Sequence, residues 1–287
     1  MNFDLLKGWM NETYGFINSN LRETAVTMLK IQLLMLVPVL ITIIMAGLLI
    51  FMAPGALAIV ALVIGACFVI VGIVLSAVIG SVQYNAVDNI AKRRKTGIIG
   101  TAEENLVPYV KYALMMFVIH LVPILPLTIL IVAAYITLPL VGGLVEILGR
   151  ILISIISAII YLFVQFAIME TVLSKSGTLD SYRKSYRMAR KNLAATIIMS
   201  FVLWVVESAI NLAFILAAVV IILTVAVIGV AGLTAALESP ESVIASLALP
   251  VILLILVVVL LFAVLVGAAV NTIIVPAQYF FWKKIKY

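Results

Sequence analysis

Two ionisable residues interrupt long apolar runs in this sequence. His120 lies in "VKYALMMFVIHLVPILP" and Glu207 in "IIMSFVLWVVESAINLAF". An imidazole titrates near physiological pH, so a facing His–Glu pair could relay protons or hold a cation. Asn211, one helical turn after Glu207, would share that site. Ionisable groups inside hydrocarbon are costly, which makes each a functional candidate by default. The competing reading is structural: a neutral His, a protonated Glu and an Asn can bond between helices for about 1 kcal/mol each.

Cationic residues form a second group. Lys92, Arg93, Arg94 and Lys95 run together, and Arg183, Arg187 and Arg190 recur at helical spacing. Such charges attract anionic headgroups at about 1 kcal/mol apiece near a bilayer surface. A purely topogenic role explains them equally well. No aromatic-interleaved nucleic-acid motif appears.

Other chemistries lack their residues. A membrane aspartyl protease needs two aspartates within spans, yet Asp4, Asp88 and Asp180 stand in polar segments. A Ser–His dyad has His120 alone to draw on, without a Gly-x-Ser-x-Gly setting. A zinc site needs more than one His and one Cys, Cys67. Phosphate-loop and dinucleotide fingerprints are missing. The expectation is a protein without enzymatic activity, metal or cofactor.

The elements that must position these residues are membrane helices. Hydrophobic residues make up 66% of the 287-residue chain and charged residues 10%, with mean hydropathy +1.34. A soluble domain is about a quarter charged. Six apolar blocks approach or exceed the roughly 20 residues that cross a bilayer: Ile31–Met52, Leu57–Val82, Tyr112–Thr137, Ile151–Ile168, Thr196–Val225 and Ser246–Val275. Their length favours helices, whose backbone hydrogen bonds close internally, over the short alternating strands of a barrel. Of 18 Lys and Arg residues, Arg150 alone falls on the outer side of this arrangement. That bias predicts a plasma-membrane protein with both termini and both long loops in the cytoplasm. The first 29 residues are polar and amphipathic, so a retained first span is expected instead of a cleaved signal.

An internal repeat organises the spans. Asn20-Leu21, Asn105-Leu106 and Asn192-Leu193 each precede an odd-numbered span, 85 and 87 residues apart. Gln83-Tyr84 and Gln278-Tyr279 close two return spans, and Met169-Glu170-Thr171 ends the middle one. The predicted fold is all-α: one transmembrane domain of six helices in three hairpins, units 1–84, 85–171 and 172–287, each opened by a cytoplasmic interfacial helix. A pseudo-threefold axis would place a site between repeats, as in transport folds. His120 and Glu207 both stand 15 residues after their unit's Asn, with Met35 at that place in the first unit.

In "TLDSYRKSYRMARKNL", Leu179, Tyr182, Tyr186, Ala189 and Leu193 share one helical face. Such a helix lies in the headgroup plane. Phe3, Leu6, Met10 and Ile17 sketch a similar stripe, with Trp9 suited to the interface. Lys30 and Lys111 read as headgroup anchors. Glu146 and Arg150 read as an exposed helical pair. Pro38, Pro123 and Pro126 should kink their spans. Gly65, Gly72 and Gly80 permit close helix approach. Outer connections are expected over Pro139, Gly142 and Gly143, and over Ser239-Pro240-Glu241.

The stretch "METVLSKSGTLDSYRKSYRMARKNLAATIIMSFVL" resembles the linker of the six-helix membrane domain found beside glycerophosphodiester phosphodiesterases, and of related archaeal and bacterial families. Gly177, Leu179, Ser185, Arg187, Arg190 and Asn192 carry that pattern, and "VPAQYFFWKKIKY" resembles the family's closing Pro, Tyr and basic tail. The resemblance implies a fold and no activity, because the catalytic domain is absent.

Together these readings predict a membrane protein that binds or moves a small solute, ion or lipid between repeats. The alternative is a scaffold or accessory subunit that organises lipids or partner proteins. Expected partners are anionic lipids on the cytoplasmic side and a second copy or another membrane protein, without nucleic acid.

Overall fold

The computed structural model describes residues 3–52, 57–95, 97–137, 139–236 and 242–286, and among them every element is helical. In chain order these are α1 (Phe3–Met52), α2 (Leu57–Ala91), α3 (Ile98–Thr137), α4 (Pro139–Val164), α5 (Ala167–Val172), α6 (Thr178–Lys191), α7 (Leu193–Ala236) and α8 (Ser242–Lys286). Among the described residues six stretches are long and apolar enough to cross a membrane, on α1, α2, α3, α4 running into α5, α7 and α8. The chain is a multi-pass integral membrane protein.

Sequence neighbours pack in pairs: α1 with α2, α3 with α4, and α7 with α8, while α8 also lies along α1. Small residues set how closely they approach. A Cβ on Gly72 would collide with the Thr42 hydroxyl and sit 3.0 Å from the Pro38 carbonyl. One on Gly65 would sit 3.2 Å from Ala46 Cβ, and one on Gly80 would sit 3.0 Å from Met35 Cε. These three glycines therefore fix the α1–α2 seam, as their spacing predicts. The helices continue through Pro38, Pro123 and Pro126, and also through Pro108; the non-helical residue inside α1 is Asn20 (φ −127°, ψ 16°).

The protein-buried core is concentrated at one end. Leu6, Trp9 and Phe16 of α1, Val82 to Ile90 of α2, Phe166 and Met169, and Tyr279 to Ile285 of α8 form one apolar cluster. The ends of the chain and the loops after α2 and α5 meet there: Lys284 pairs with Glu12 at 2.9 Å, Lys175 with Glu104 at 3.2 Å, and Lys286 reaches Ser174 at 2.6 Å. This is termed the basic end. Away from it, large apolar residues such as Ile70, Phe117, Leu130, Ile147 and Leu216 stay exposed, which suits side chains solvated by lipid tails.

Three expectations change, and a fourth falls outside the described residues. The fourth span opens at Pro139, a favoured first helical residue, so Gly142 and Gly143 belong to α4 and not to a connection. Ser239-Pro240-Glu241 lies outside the described residues. No separate amphipathic helix precedes the third span, because α3 runs unbroken from Ile98. Only seven residues separate Ile98 from Asn105, whereas fourteen separate Thr178 from Asn192. Two turns are too few for an independent helix.

The third change concerns the N-terminal stripe. Trp9 is 3% exposed, stacked edge-on against Phe281 and donating its indole N–H to the Ala277 carbonyl at 2.8 Å. The seam facing the protein is Leu6, Trp9 and Phe16, while Phe3 and Met10 are exposed. The visible stripe therefore divides, with Leu6 facing the protein and Phe3 and Met10 facing away. The same holds for α6. Ser181, Tyr182, Ser185 and Ala189 face the protein, and Leu179 and Tyr186 are left outside.

Candidate functional site

Where α4 gives way to α5, the chain leaves two backbone groups without helical partners. The Ser185 hydroxyl of α6 serves both, donating to the Phe163 carbonyl at 2.8 Å and accepting the Phe166 N–H at 3.2 Å. Gln165 at the same break donates to the Leu162 carbonyl at 3.1 Å and exchanges hydrogen bonds with Ser200 of α7. Five residues on, Glu170 is 1% exposed. An ionised carboxylate so buried must be compensated. Trp282 donates its indole N–H to Oε1 at 3.0 Å, Lys286 Nζ lies 3.2 Å from the same oxygen, and Lys184 Nζ lies 3.8 Å from Oε2. Lys286 also caps the Trp282 ring, 4.5 Å from its centroid. Glu170 thus binds α6 and α8 to the end of the fourth span.

The second span ends in the same way. Asp88, five residues after Gln83, accepts the Tyr279 hydroxyl of α8 at 2.7 Å and pairs with Lys92 at 2.7 Å. Five residues beyond each acid the backbone turns left-handed at a basic residue, Arg93 (φ 54°) and Lys175 (φ 48°). The amide N–H of Ser176 returns to the Glu170 carbonyl at 3.2 Å and that of Arg94 to the Asn89 carbonyl at 2.7 Å, satisfying carbonyls a helix end leaves open.

A tyrosine cluster adjoins this floor. Tyr84 of α2 donates to Gln278 Oε1 of α8 at 3.1 Å. Tyr161 of α4 lies beside the Gln278 side chain and within electrostatic range of the Glu207 carboxylate of α7, with no hydrogen bond to Glu207 among the described residues. Tyr161 is 47% exposed and Glu207 is exposed as well. Tyr112 stacks on Tyr182 with centroids 5.5 Å apart and planes 12° apart, and Tyr182 donates to the Tyr112 carbonyl at 2.9 Å. Burial, with Tyr112 and Tyr109 beside it, pushes the Tyr182 phenol well above its ordinary range and keeps it a donor.

Of the residues the sequence singled out, Glu207 joins this cluster and His120 does not. His120 is half-buried on α3, its Nδ1 2.9 Å from the Met116 carbonyl. A carbonyl only accepts, so Nδ1 carries the proton in this contact. Among the described residues no hydrogen bond or ion pair joins His120 to Glu207. Asn211 is half-buried one turn beyond Glu207. Lys92, Arg93, Arg94, Lys95, Arg183, Arg187 and Arg190 are all exposed at the basic end. Glu146 and Arg150 form the expected exposed pair at 2.6 Å. Among the described residues no group of three or more His, Cys, Asp or Glu side chains could hold a metal.

Glu170, Gln165, Tyr84, Tyr161 and Gln278 carry this end of the molecule without having been recognised as a site. A signal was present: Gln83, Gln165 and Gln278 recur near the ends of the three return spans, the first two with an acid five residues later. No protein-family description, curated protein or solved structure matches this chain.

Proposed function

We propose that this chain is a non-enzymatic plasma-membrane protein that has an opening between α4 and α7 and binds a small solute, ion or lipid there. One observation carries the reading: Tyr84, Tyr161, Gln278 and Glu207 converge from α2, α4, α8 and α7, so each helical pair contributes a polar group within the spans. Polar side chains gathered inside a membrane domain are the usual mark of a solute or ion pathway. The Phe166–Phe281 stack, with centroids 5.9 Å apart, and the Glu170 contacts close the basic end as a floor beneath it. Glu207 is the ionisable group of the cluster. His120, bonded to its own helix, positions α3 instead of pairing across the bundle.

The chain is built as three related hairpins with the basic end in the cytoplasm. Asn20 and Asn192 support this, since each breaks a helix and donates to the carbonyl four residues back, Phe16 at 3.0 Å and Met188 at 3.2 Å. The exposed arginines of α6 and the Lys92–Lys95 run meet anionic headgroups. The family resemblance agrees with this fold and adds no activity to it.

The reading is tested in liposomes carrying an entrapped pH-sensitive dye, with wild-type protein, Glu207→Gln and Tyr161→Phe compared. Glu207→Gln abolishes pH-dependent flux and leaves a folded protein, and Tyr161→Phe weakens it. Unchanged flux in Glu207→Gln removes the carboxylate from the function. A scaffold role is the second reading, favoured by the exposed Leu179 and Tyr186 of α6. It gains if the wild type carries no flux and crosslinking recovers a discrete membrane partner.

A further inference from the structure

A groove on another side of the molecule joins two chambers of opposite character. The outer chamber, about 640 Å³, is bounded by Glu23, Thr27, Lys30 and Lys95 and by the first turn of α3, Gly97 to Gly100. That volume lies in the range of ordinary ligand pockets, about 300–1,000 Å³. The inner chamber, about 250 Å³, is walled by Pro38, Leu75, Val78, Ile79, Ala102 and Leu106, with Glu103 at its rim. Leu34, Ile98 and Ile99 line both, so the two are continuous. Leu75 and Leu106 are 40% and 39% exposed, which opens the apolar chamber sideways between α2 and α3.

We infer that this groove holds one phospholipid, its phosphodiester between Lys30 and Lys95 and one acyl chain in the apolar chamber. Lys30 and Lys95 are exposed, and neither enters an ion pair among the described residues. Two cations thus face one cavity without a counter-ion that neutralises both. The opening amides of α3 stand in the same wall and favour an anion. Glu23, across the mouth, limits the net charge and offers an acceptor to a headgroup amine or hydroxyl. A free inorganic anion would use the mouth and leave the apolar chamber unexplained. A hydrocarbon chain alone would leave both lysines unused. A phospholipid uses both, and a groove at the level where charged loops meet apolar spans lies where such lipids have their phosphates. This site stands apart from the opening between α4 and α7, and neither depends on the other.

Native mass spectrometry of the full chain in mild detergent, loaded with phosphatidylglycerol, tests the inference. One lipid per chain is retained. Lys30→Gln with Lys95→Gln weakens retention about thirty-fold, since each charge contributes about five- to sixfold. Ala102→Trp fills the inner chamber and releases the lipid, while Arg183→Gln with Arg187→Gln leaves it bound. Diacylglycerol, without a phosphate, is not held. Equal retention by the lysine and Ala102 variants overturns the site. So does loss that follows the α6 arginines, which is adsorption to a charged surface, or displacement by inorganic phosphate with no lipid retained in its absence. If the lysine pair fails to fold, Lys30→Gln alone and Ala102→Trp give the same decision. Glu207→Gln keeps the lipid, so failure of the flux reading and failure of this one are told apart.

Discussion

Glu170 and Glu207 are the same side chain in two regions that treat it oppositely. Glu170 is 1% exposed and compensated by Trp282, Lys286 and Lys184, inside the cluster that closes the basic end. Glu207 is exposed on α7 with Tyr161 in reach. The two tryptophans repeat the contrast, Trp9 at 3% exposure in the core and Trp204 at 62% on the outside of α7. A polar group satisfied on all sides holds a structure together. One left open to its surroundings is free to meet something else. The basic end is a packed protein interior, and much of the described helical surface away from it is apolar and exposed.

Substitutions that exchange the roles of these regions break or sharpen the contrast. Trp9→Ala and Glu170→Ala have the largest effects, about 3–5 kcal/mol each, the first by opening a cavity and the second by leaving buried donors without an acceptor. Thermal unfolding in detergent reads both, and a small shift in either would mean the basic end is not the core. Gly72→Val comes next, at about 1–3 kcal/mol, because its side chain must enter the space of Thr42. The matched control is Gly100→Ala, whose Cβ meets nothing within 4 Å. It is neutral or stabilising by up to about 1 kcal/mol. Smallest are Trp204→Ala, Arg150→Ala and Glu207→Gln, each within about 0.5 kcal/mol of wild type. A Glu207→Gln protein that lost several kcal/mol would place that carboxylate with Glu170 as structural.

The sequence displayed one of these regions better than the other. Span number followed from composition, and the glycine seam from Gly65, Gly72 and Gly80, because hydrocarbon punishes every departure from those patterns. The Glu146–Arg150 pair was equally plain, being set by one turn of helix. The basic end was harder to see. A helix at the membrane surface that also lies on protein carries two apolar faces. Periodicity found Phe3 and Met10, which face outward, ahead of Trp9, which faces in. Ser181 and Ser185 read as polar surface, yet they are buried because a helix break in the fourth span presents backbone groups that only a hydroxyl or amide can satisfy. His120 and Glu207 were singled out by rarity, and rarity does not reveal direction. Only the packed helices show that Glu207 lies within electrostatic range of Tyr161 while His120 turns to its own backbone.

Ser185 has a mechanical consequence. Its hydroxyl bridges two backbone groups of the fourth span while Arg183 and Arg187, within a turn of it, stand at the exposed surface of α6. The surface helix cannot slide or lift without breaking both hydrogen bonds at a helix joint that has no slack to replace them. A pull on the arginines is therefore delivered to the Phe163 carbonyl, two residues from Tyr161.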